Sequence, residues 1–175
     1  FYGRPSTEVA PDLLNKLVQQ GAAVVAFDFV FPEEDRTSPA PAETPITPAA
    51  AAILAPALAG MPSHDQVFAN VIGQTPTVLG MALSQRSDPP VVKAGFAIAG
   101  DDPKQFVYSY PGATNNLKVL SDAAPGIGAI NRQPDRDQVI RRVQLVCRVG
   151  DQYVPSLVSE ILRVLQNAGS YVLNS

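Results

Sequence analysis

One stretch constrains this chain more than any other: the apolar run Ala22-Ala23-Val24-Val25-Ala26-Phe27-Asp28-Phe29-Val30-Phe31, bounded by Gly21 and by Pro32-Glu33-Glu34-Asp35. Its β-branched and aromatic content favours strand over helix. A continuous apolar run of this length predicts a strand buried on both faces, as strands are inside an α/β domain. Asp28 interrupts the run near its end. A carboxylate there must be hydrogen-bonded, paired or placed on the rim of a cavity. In open α/β sheets, ligands bind beyond the carboxyl ends of the strands, so Asp28 is the first candidate site residue.

The segments around this strand alternate in the way an α/β fold requires. Ahead of it, Ser6 or Thr7 can cap a helix whose face carries Val9, Leu13, Leu14, Leu17 and Val18, with Pro11 tolerated only in its first turn. Behind it, prolines at 32, 39, 41, 45, 48, 56 and 62 forbid regular structure over most of 32–62. Residues 36–48 are expected to form a proline-rich surface loop, and 49–58 a short helix interrupted near Pro56. Ser63-His64-Asp65-Gln66 reads as a capping box opening a helix with Val67, Phe68, Val71 and Ile72 inward. Thr77 to Leu83 is a second buried strand. Strand, helix and strand make a βαβ unit, so the two strands should be parallel.

Beyond them, Phe96–Ala99 and Gln105–Tyr110 are weaker strand candidates around a turn at Gly100-Asp101-Asp102-Pro103, Asn116–Ser121 a helical turn, and Ile127–Ile130 a short strand. Val139–Val149 and Gln152–Val154 suggest a hairpin around Gly150-Asp151. The last helix starts near Pro155, and Val154, Leu157, Val158, Ile161, Leu162 and Leu165 lie on one apolar face expected to enter the core. Tyr171-Val172-Leu173 follows as a stub. The fold class is therefore α/β, a mixed central β-sheet flanked by helices, in a single domain over residues 1–175.

Composition removes several functions. A net charge of −3 argues against electrostatic nucleic-acid binding. The single Cys147 leaves no internal disulfide and no thiolate metal cluster, and reads as a small buried hydrophobe. His64, the one histidine, reads as a surface residue in a helix's first turn. Ser156 lacks a nucleophile-elbow context. Gly126-x-Gly128 lacks the third glycine and the following helix of a phosphate loop. Val30 stands where an aspartate-nucleophile phosphatase needs its second acid. No run reaches the ~20 apolar residues that span a bilayer. The chain begins at Phe1 without Met and is expected to be a piece of a longer protein.

Two constellations remain. Asp28 with Glu33, Glu34, Asp35 and Asp65 offers oxygen ligands of the kind that suit Ca²⁺ or Mg²⁺, in no recognised calcium-loop spacing; alternatively, Asp28 only accepts backbone hydrogen bonds from the loop after the strand. Asn131, Asp135, Asp137, Arg141 and Arg142 offer ligand recognition by an arginine with acids nearby, or only an ion pair that fixes a turn. Asp28, Asp65 and Asn131, each near a strand end or helix start, are expected to converge on one polar pocket with Asp137 or Arg141 at its rim. No cofactor is expected. The rival readings are a metal-dependent hydrolase built on the Asp28 acidic cluster and a protein-interaction or dimerisation module.

Four stretches, taken in order, resemble the CHASE2 family of extracytoplasmic sensor domains. The first is Leu13-Leu14 and Leu17, then Gly21-Ala22 and Phe27-Asp28-Phe29-Val30-Phe31 with the acids at 33–35. The second is Asp65 at a helix start. The third is Gly126-Ile127-Gly128-Ala129-Ile130-Asn131 with Asp135-Arg136-Asp137-Gln138-Val139-Ile140-Arg141-Arg142, where Gln138 stands at a position the family often fills with glycine. The fourth is Val154-Pro155-Ser156-Leu157 with Glu160. The resemblance implies the ligand-sensing input domain of a bacterial transmembrane receptor, lying outside the cytoplasmic membrane between flanking membrane helices. Its partners would be an unidentified small-molecule or ion ligand and, in some arrangements, a second copy in a homodimer. The output, absent from these residues, would be a nucleotide cyclase such as an adenylate cyclase, a histidine kinase of a two-component system, a Ser/Thr kinase or a cyclic-di-nucleotide enzyme.

Overall fold

A computed structural model of the chain describes residues 7, 9–38, 60–86 and 88–174. The expected proline-rich loop beyond residue 38 and the short helix over 49–58 lie outside the described residues. The elements, in order, are α1 (Ala10–Gln19), β1 (Val25–Phe27), α2 (His64–Ile72), β2 (Thr77–Ser84), β3 (Gly95–Ala99), a 3-10 turn (Pro103–Gln105), β4 (Ser109–Tyr110), β5 (Gly112–Thr114), α3 (Lys118–Ala123), β6 (Gly126–Ala129), β7 (Val146–Val149), β8 (Gln152–Pro155), α4 (Leu157–Leu165) and β9 (Ser170–Asn174). The α/β class with a mixed sheet system flanked by helices is as expected.

The doubly buried strand is β2, not the run around Asp28. Val78, Leu79 and Met81 have no exposed surface. β2 pairs in parallel with β1 (Val25↔Thr77) and with β6 (Val78↔Gly126), and antiparallel with β5 (Leu83↔Ala113). β1 keeps only three ladder residues, with Ala26 exposed. Of the remaining aromatics of that run, Phe31 enters the core from a loop instead, while Phe29 packs against it and stays partly exposed. Phe27, Phe29, Phe31 and Phe68 stack edge to face with centroids 5.0–5.9 Å apart, a geometry that adds to their area burial. The backbone that leaves the ladder is paired elsewhere: Phe31 N–H donates to Asn116 Oδ1 (2.8 Å), and Leu117 N–H donates to the Phe31 carbonyl (2.7 Å). A buried loop is tolerable once its amides are satisfied, which is why the apolar pattern looked like a longer strand.

The cap of α2 is as read: Ser63 Oγ accepts from Gln66 N–H at 3.1 Å. The Gln66 side chain turns to Asn70 at 3.3 Å, so only half of the box forms. Phe68 and Ile72 are buried, whereas Val67 faces out. Beneath the sheet, α1 contributes Leu14 to the core, while Val9 and Leu13 are exposed. Thr7 does not cap α1; it takes part in a hydrogen-bonded knot described below. β7 and β8 form the expected hairpin, Cys147↔Val154, with Cys147 buried. Residues 139–144 do not join it as strand. β9 pairs in parallel with β3 over five residues, a second small sheet where a stub was expected.

The last helix is turned around relative to its pattern. Ser156, at its N-cap, accepts from Ser159 N–H at 3.3 Å. The buried side chains of α4 are Ser159 and Glu160, while Val158, Leu162 and Leu165 are each about half exposed. The cause lies in β6. A Cβ on Gly128 would come within 2.6 Å of Leu157 Cα, and one on Gly126 within 2.8 Å of Val164 Cγ2 and 3.0 Å of Glu160 Cγ. These two glycines, on one side of the strand, let the α4 backbone lie directly against β6. Leu157, Glu160 and Val164 are the residues that face β6 there, and with the helix seated on them Val158, Leu162 and Leu165 turn away from the sheet. The Gly126-x-Gly128 pattern is a helix-docking surface.

Candidate functional site

β1, β2 and β6 are mutually parallel, so their carboxyl ends share one edge of the sheet. Asp28 follows β1 there, and Asn131 lies two residues past β6. The Asn131 carboxamide is committed to β2: Oδ1 accepts from Leu83 N–H at 2.6 Å and Nδ2 donates to the Leu83 carbonyl at 2.7 Å. It acts as a surrogate peptide group, extending by one step the ladder that Ile130 N–H to Met81 O (3.0 Å) continues beyond the strand. A buried ladder end is satisfied in this way without another strand residue.

Asp28 does not contact this amide. Its Oδ2 accepts from Arg132 Nη2 at 2.8 Å, both side chains being more than half exposed. Arg132, beside Asn131, is the residue the sequence reading missed; the turn that aims Asn131 at Leu83 sends the next side chain back over the sheet edge toward Asp28. Next to it, Gln133 Nε2 donates to Tyr108 Oη at 2.6 Å, and Phe29 is partly exposed. The edge thus presents a carboxylate, a guanidinium and an amide–phenol pair. Arg132 uses one of its N–H donors on Asp28. Guanidinium forks suit carboxylate and phosphate oxygens.

Asp65 belongs to a different group. It is 4 % exposed; Oδ1 accepts from Thr7 Oγ1 (2.9 Å) and Oδ2 from Asp35 N–H (3.0 Å). Asp35 Oδ2 in turn accepts from Thr7 N–H (2.9 Å) and lies 3.0 Å from Thr7 Oγ1, while its Oδ1 accepts from Thr37 N–H (2.8 Å) and Oγ1 (2.6 Å). His64 Nδ1 is 3.3 Å from Thr37 Oγ1 and 3.9 Å from Asp35 Oδ2. The knot ties the segment before α1, the loop after β1 and the first turn of α2 together; a carboxylate at a helix start also suits the dipole.

Asp137 and Arg141 form a third group. Arg141 Nη1 and Nη2 grip Asp137 at 2.9 and 2.7 Å, and Nη1 reaches Asp135 at 3.1 Å. The Arg141 fork, followed by the Val139 N–H, holds the Asp137 carboxyl below the usual carboxylate range. Gln138 between them has φ +64°, the left-handed region. Of the residues expected to converge, Asp28 bonds to Arg132, Asn131 to Leu83, Asp65 to Thr7 and Asp35, and Asp137 to Arg141, with no hydrogen bond joining one set to another. The acidic cluster expected around Asp28 is divided the same way, with Asp28 on Arg132 and Asp65 beside Asp35. Among the described residues, no group of three His, Cys, Asp or Glu side chains is arranged to hold a metal ion.

A fourth group centres on Glu160. Glu160 has no exposed surface. Oε2 accepts from Arg163 Nε (3.0 Å) and Tyr171 Oη (2.8 Å); Oε1 accepts from Arg163 Nη2 (2.7 Å) and Ile127 N–H (3.3 Å). Arg163 also donates to the carbonyls of Pro125 and Ala168, each at 2.7 Å. Burial, then the bond to Glu160, pushes the Tyr171 phenol well above its ordinary range. The group joins α4, β6 and β9.

No helix among the described residues is long and apolar enough to cross a membrane. No curated protein and no solved structure matches the chain. A family model described as the CHASE2 domain matches residues 4–173, nearly the whole length. With the parallel sheet and its polar carboxyl edge in place, the chain belongs to the CHASE2 family of extracytoplasmic sensor domains.

Proposed function

We propose that this domain is the ligand-sensing input module of a bacterial transmembrane receptor, lies outside the cytoplasmic membrane, and is anchored by membrane helices on either side of it. The output is a nucleotide cyclase, a histidine kinase, a Ser/Thr kinase or a cyclic-di-nucleotide enzyme elsewhere in the same protein. Membership of a sensory rather than catalytic family supports this reading. The observation that carries the site is the half-exposed Asp28–Arg132 pair at the carboxyl edge of β1, β2 and β6, where open α/β sheets take their ligands. The ligand is a small polar molecule whose carboxylate or phosphate group replaces Asp28 on the Arg132 fork. Binding shifts the receptor by as much as the ligand's affinities for its two arrangements differ.

Placement is tested in the natural full-length protein. Gln19, exposed on α1, is changed to Cys and probed in intact cells with a small membrane-impermeant maleimide. Cys147 gives little background, because it is buried and its thiol is pushed up to about 11. Labelling in intact cells equal to that in lysed cells is expected; labelling only after lysis would refute the extracytoplasmic placement. For the site, a panel of small carboxylates and phosphates is screened by thermal shift. At ligand concentrations near 100 Kd a hit adds about 2.7 kcal/mol of stability. Each hit should vanish in Arg132→Ala, and a hit that survives it binds elsewhere.

A further inference from the structure

We propose that the ligand at the Asp28–Arg132 edge is a zwitterion of the α-amino-acid type, with its ammonium group one carbon away from its carboxylate. The inference rests on the reading of that edge as the ligand site and names the chemical class that fits it. The two charges come from the strands on either side of β2, Asp28 after β1 and Arg132 after β6. Arg132 Nη2 donates to Asp28 Oδ2 at 2.8 Å, with side-chain exposures of 58 and 53 %. Among the described residues, that is the single hydrogen bond of either side chain. A guanidinium has five N–H donors and a carboxylate about four acceptor sites, so most of both remain unused. Two other groups of arginine and carboxylate are closed by comparison. Arg141 grips Asp137 with two bonds and reaches Asp135 with a third. Glu160 and Arg163 are buried together, with a phenol and two carbonyls as further partners.

Charge decides among the ligand classes. The pair is neutral as it stands. A simple anion on the Arg132 fork exchanges one carboxylate for another and leaves Asp28, tethered to the end of β1, facing a like charge. A simple amine on Asp28 does the same to Arg132. A zwitterion avoids both: its carboxylate takes the guanidinium, its ammonium donates to Asp28, and every charge keeps an opposite neighbour. The dimensions agree. Covalent geometry sets an α-ammonium nitrogen about 3 Å from the nearer carboxylate oxygen. Arg132 Nη2 and Asp28 Oδ2 are 2.8 Å apart, so the two dipoles can lie antiparallel and exchange partners. The three donors of the ammonium meet the acceptor-only Asp28, and the planar fork meets the carboxylate. The chain's net charge of −3 repels free anions at long range and leaves a neutral zwitterion unaffected. One residue along, Gln133 holds the Tyr108 phenol at 2.6 Å, and that ring is 44 % exposed. It offers the ligand's side chain an apolar face.

The test is isothermal titration calorimetry of the 175-residue chain with each of the standard amino acids at up to about 10 mM. The tightest binder is then compared with its deaminated acid and its decarboxylated amine, which for leucine are 4-methylpentanoate and 3-methylbutylamine. An amino acid is expected to bind, and each analogue to bind at least about tenfold more weakly, since each loses a charge-assisted hydrogen bond. Arg132→Ala should abolish binding. Asp28→Asn should bring the amino acid down to the affinity of its deaminated acid, with an unchanged circular dichroism spectrum in both variants. A deaminated acid that binds the parent chain as tightly as the amino acid overturns the zwitterion and leaves an anion site at Arg132 standing. An amino acid that keeps its affinity in both variants binds elsewhere and also overturns it. Silence from every amino acid overturns it as well. Carboxylate or phosphate hits that vanish in Arg132→Ala would then uphold the edge as a site, and their absence would remove that reading too.

Discussion

Glu160 is the side chain whose loss should cost most for the fewest atoms changed. Replacing it with Gln preserves shape and removes the charge. In the parent the carboxylate accepts from Arg163 Nε and Nη2, Tyr171 Oη and Ile127 N–H with no exposed surface. Glutamine has one carbonyl oxygen for those four donors, and its amide group would face the guanidinium. Each hydrogen bond to a charged group contributes about 1.5–3 kcal/mol against roughly 1 kcal/mol for a neutral one. Breaking a buried pair by neutralising one partner costs about 3–5 kcal/mol, because the other charge is left uncompensated. Arg163 keeps the Pro125 and Ala168 carbonyls, so the expectation for Glu160→Gln is the lower end, about 3 kcal/mol. The chain has no Trp, so urea unfolding is followed by circular dichroism. The double change Glu160→Gln with Arg163→Met should cost less than the sum of the two single changes, since neither charge is then stranded. A single-variant cost under about 1 kcal/mol, or strict additivity, would falsify the idea that this network holds α4 to the sheet.

Three further outcomes separate structural from exposed groups. Asn131→Ala strands both backbone groups of Leu83 and should cost about 2–4 kcal/mol, whereas Asp28→Asn, which only weakens a half-exposed ion pair, should cost less than about 1 kcal/mol; equal costs in parallel urea melts would contradict these roles. Gln138→Gly should stabilise by about 0.5–1 kcal/mol, because relief of the left-handed strain at φ +64° exceeds the added unfolded-state entropy; a lower melting temperature would count against that loop geometry. Burial raises the Cys147 thiol from 9.0 to about 11, so the folded chain holds that proton to higher pH than the unfolded one. Its contribution to stability is then intact below pH 9 and lost as pH rises from 9 to 11. Cys147→Ala should flatten that stretch of the stability profile, and an unchanged alkaline slope would assign it to other groups.

Local chemistry was legible in the sequence where one residue decides the outcome. Ser63 could be read as a cap, Gly150-Asp151 as a hairpin turn and Cys147 as a buried hydrophobe because each depends on near neighbours. The α4 face was misread because periodicity reports which residues share a side, not which side meets the core. That choice was made by Gly126 and Gly128, some thirty residues earlier, whose missing side chains admit a helix backbone. The run around Asp28 was over-extended for a related reason: aromatics buried by a loop and aromatics buried by a strand look alike until Asn116, far along the chain, supplies the loop's hydrogen bonds. Asp28 and Asn131 do follow the carboxyl ends of β1 and β6, but side-chain partners such as Arg132 and Thr7 are set by turn geometry that no spacing encodes. Gln138 is the converse case, where a departure from the family pattern marked a backbone conformation that the structure then displays.

The pairing of β9 with β3 has a mechanical consequence. The two strands run in parallel through five matched residues from Gly95↔Ser170 to Ala99↔Asn174. A tug along the strand axis on whatever follows Asn174 loads all their cross-links at once, in shear, instead of peeling them one by one. Tyr171, stacked on Phe96 at 5.1 Å and bonded to Glu160 beneath it, pins the amino end of the strand to the helix. Load along β9 thus reaches α4 through the Tyr171 hydroxyl and the Glu160 carboxylate.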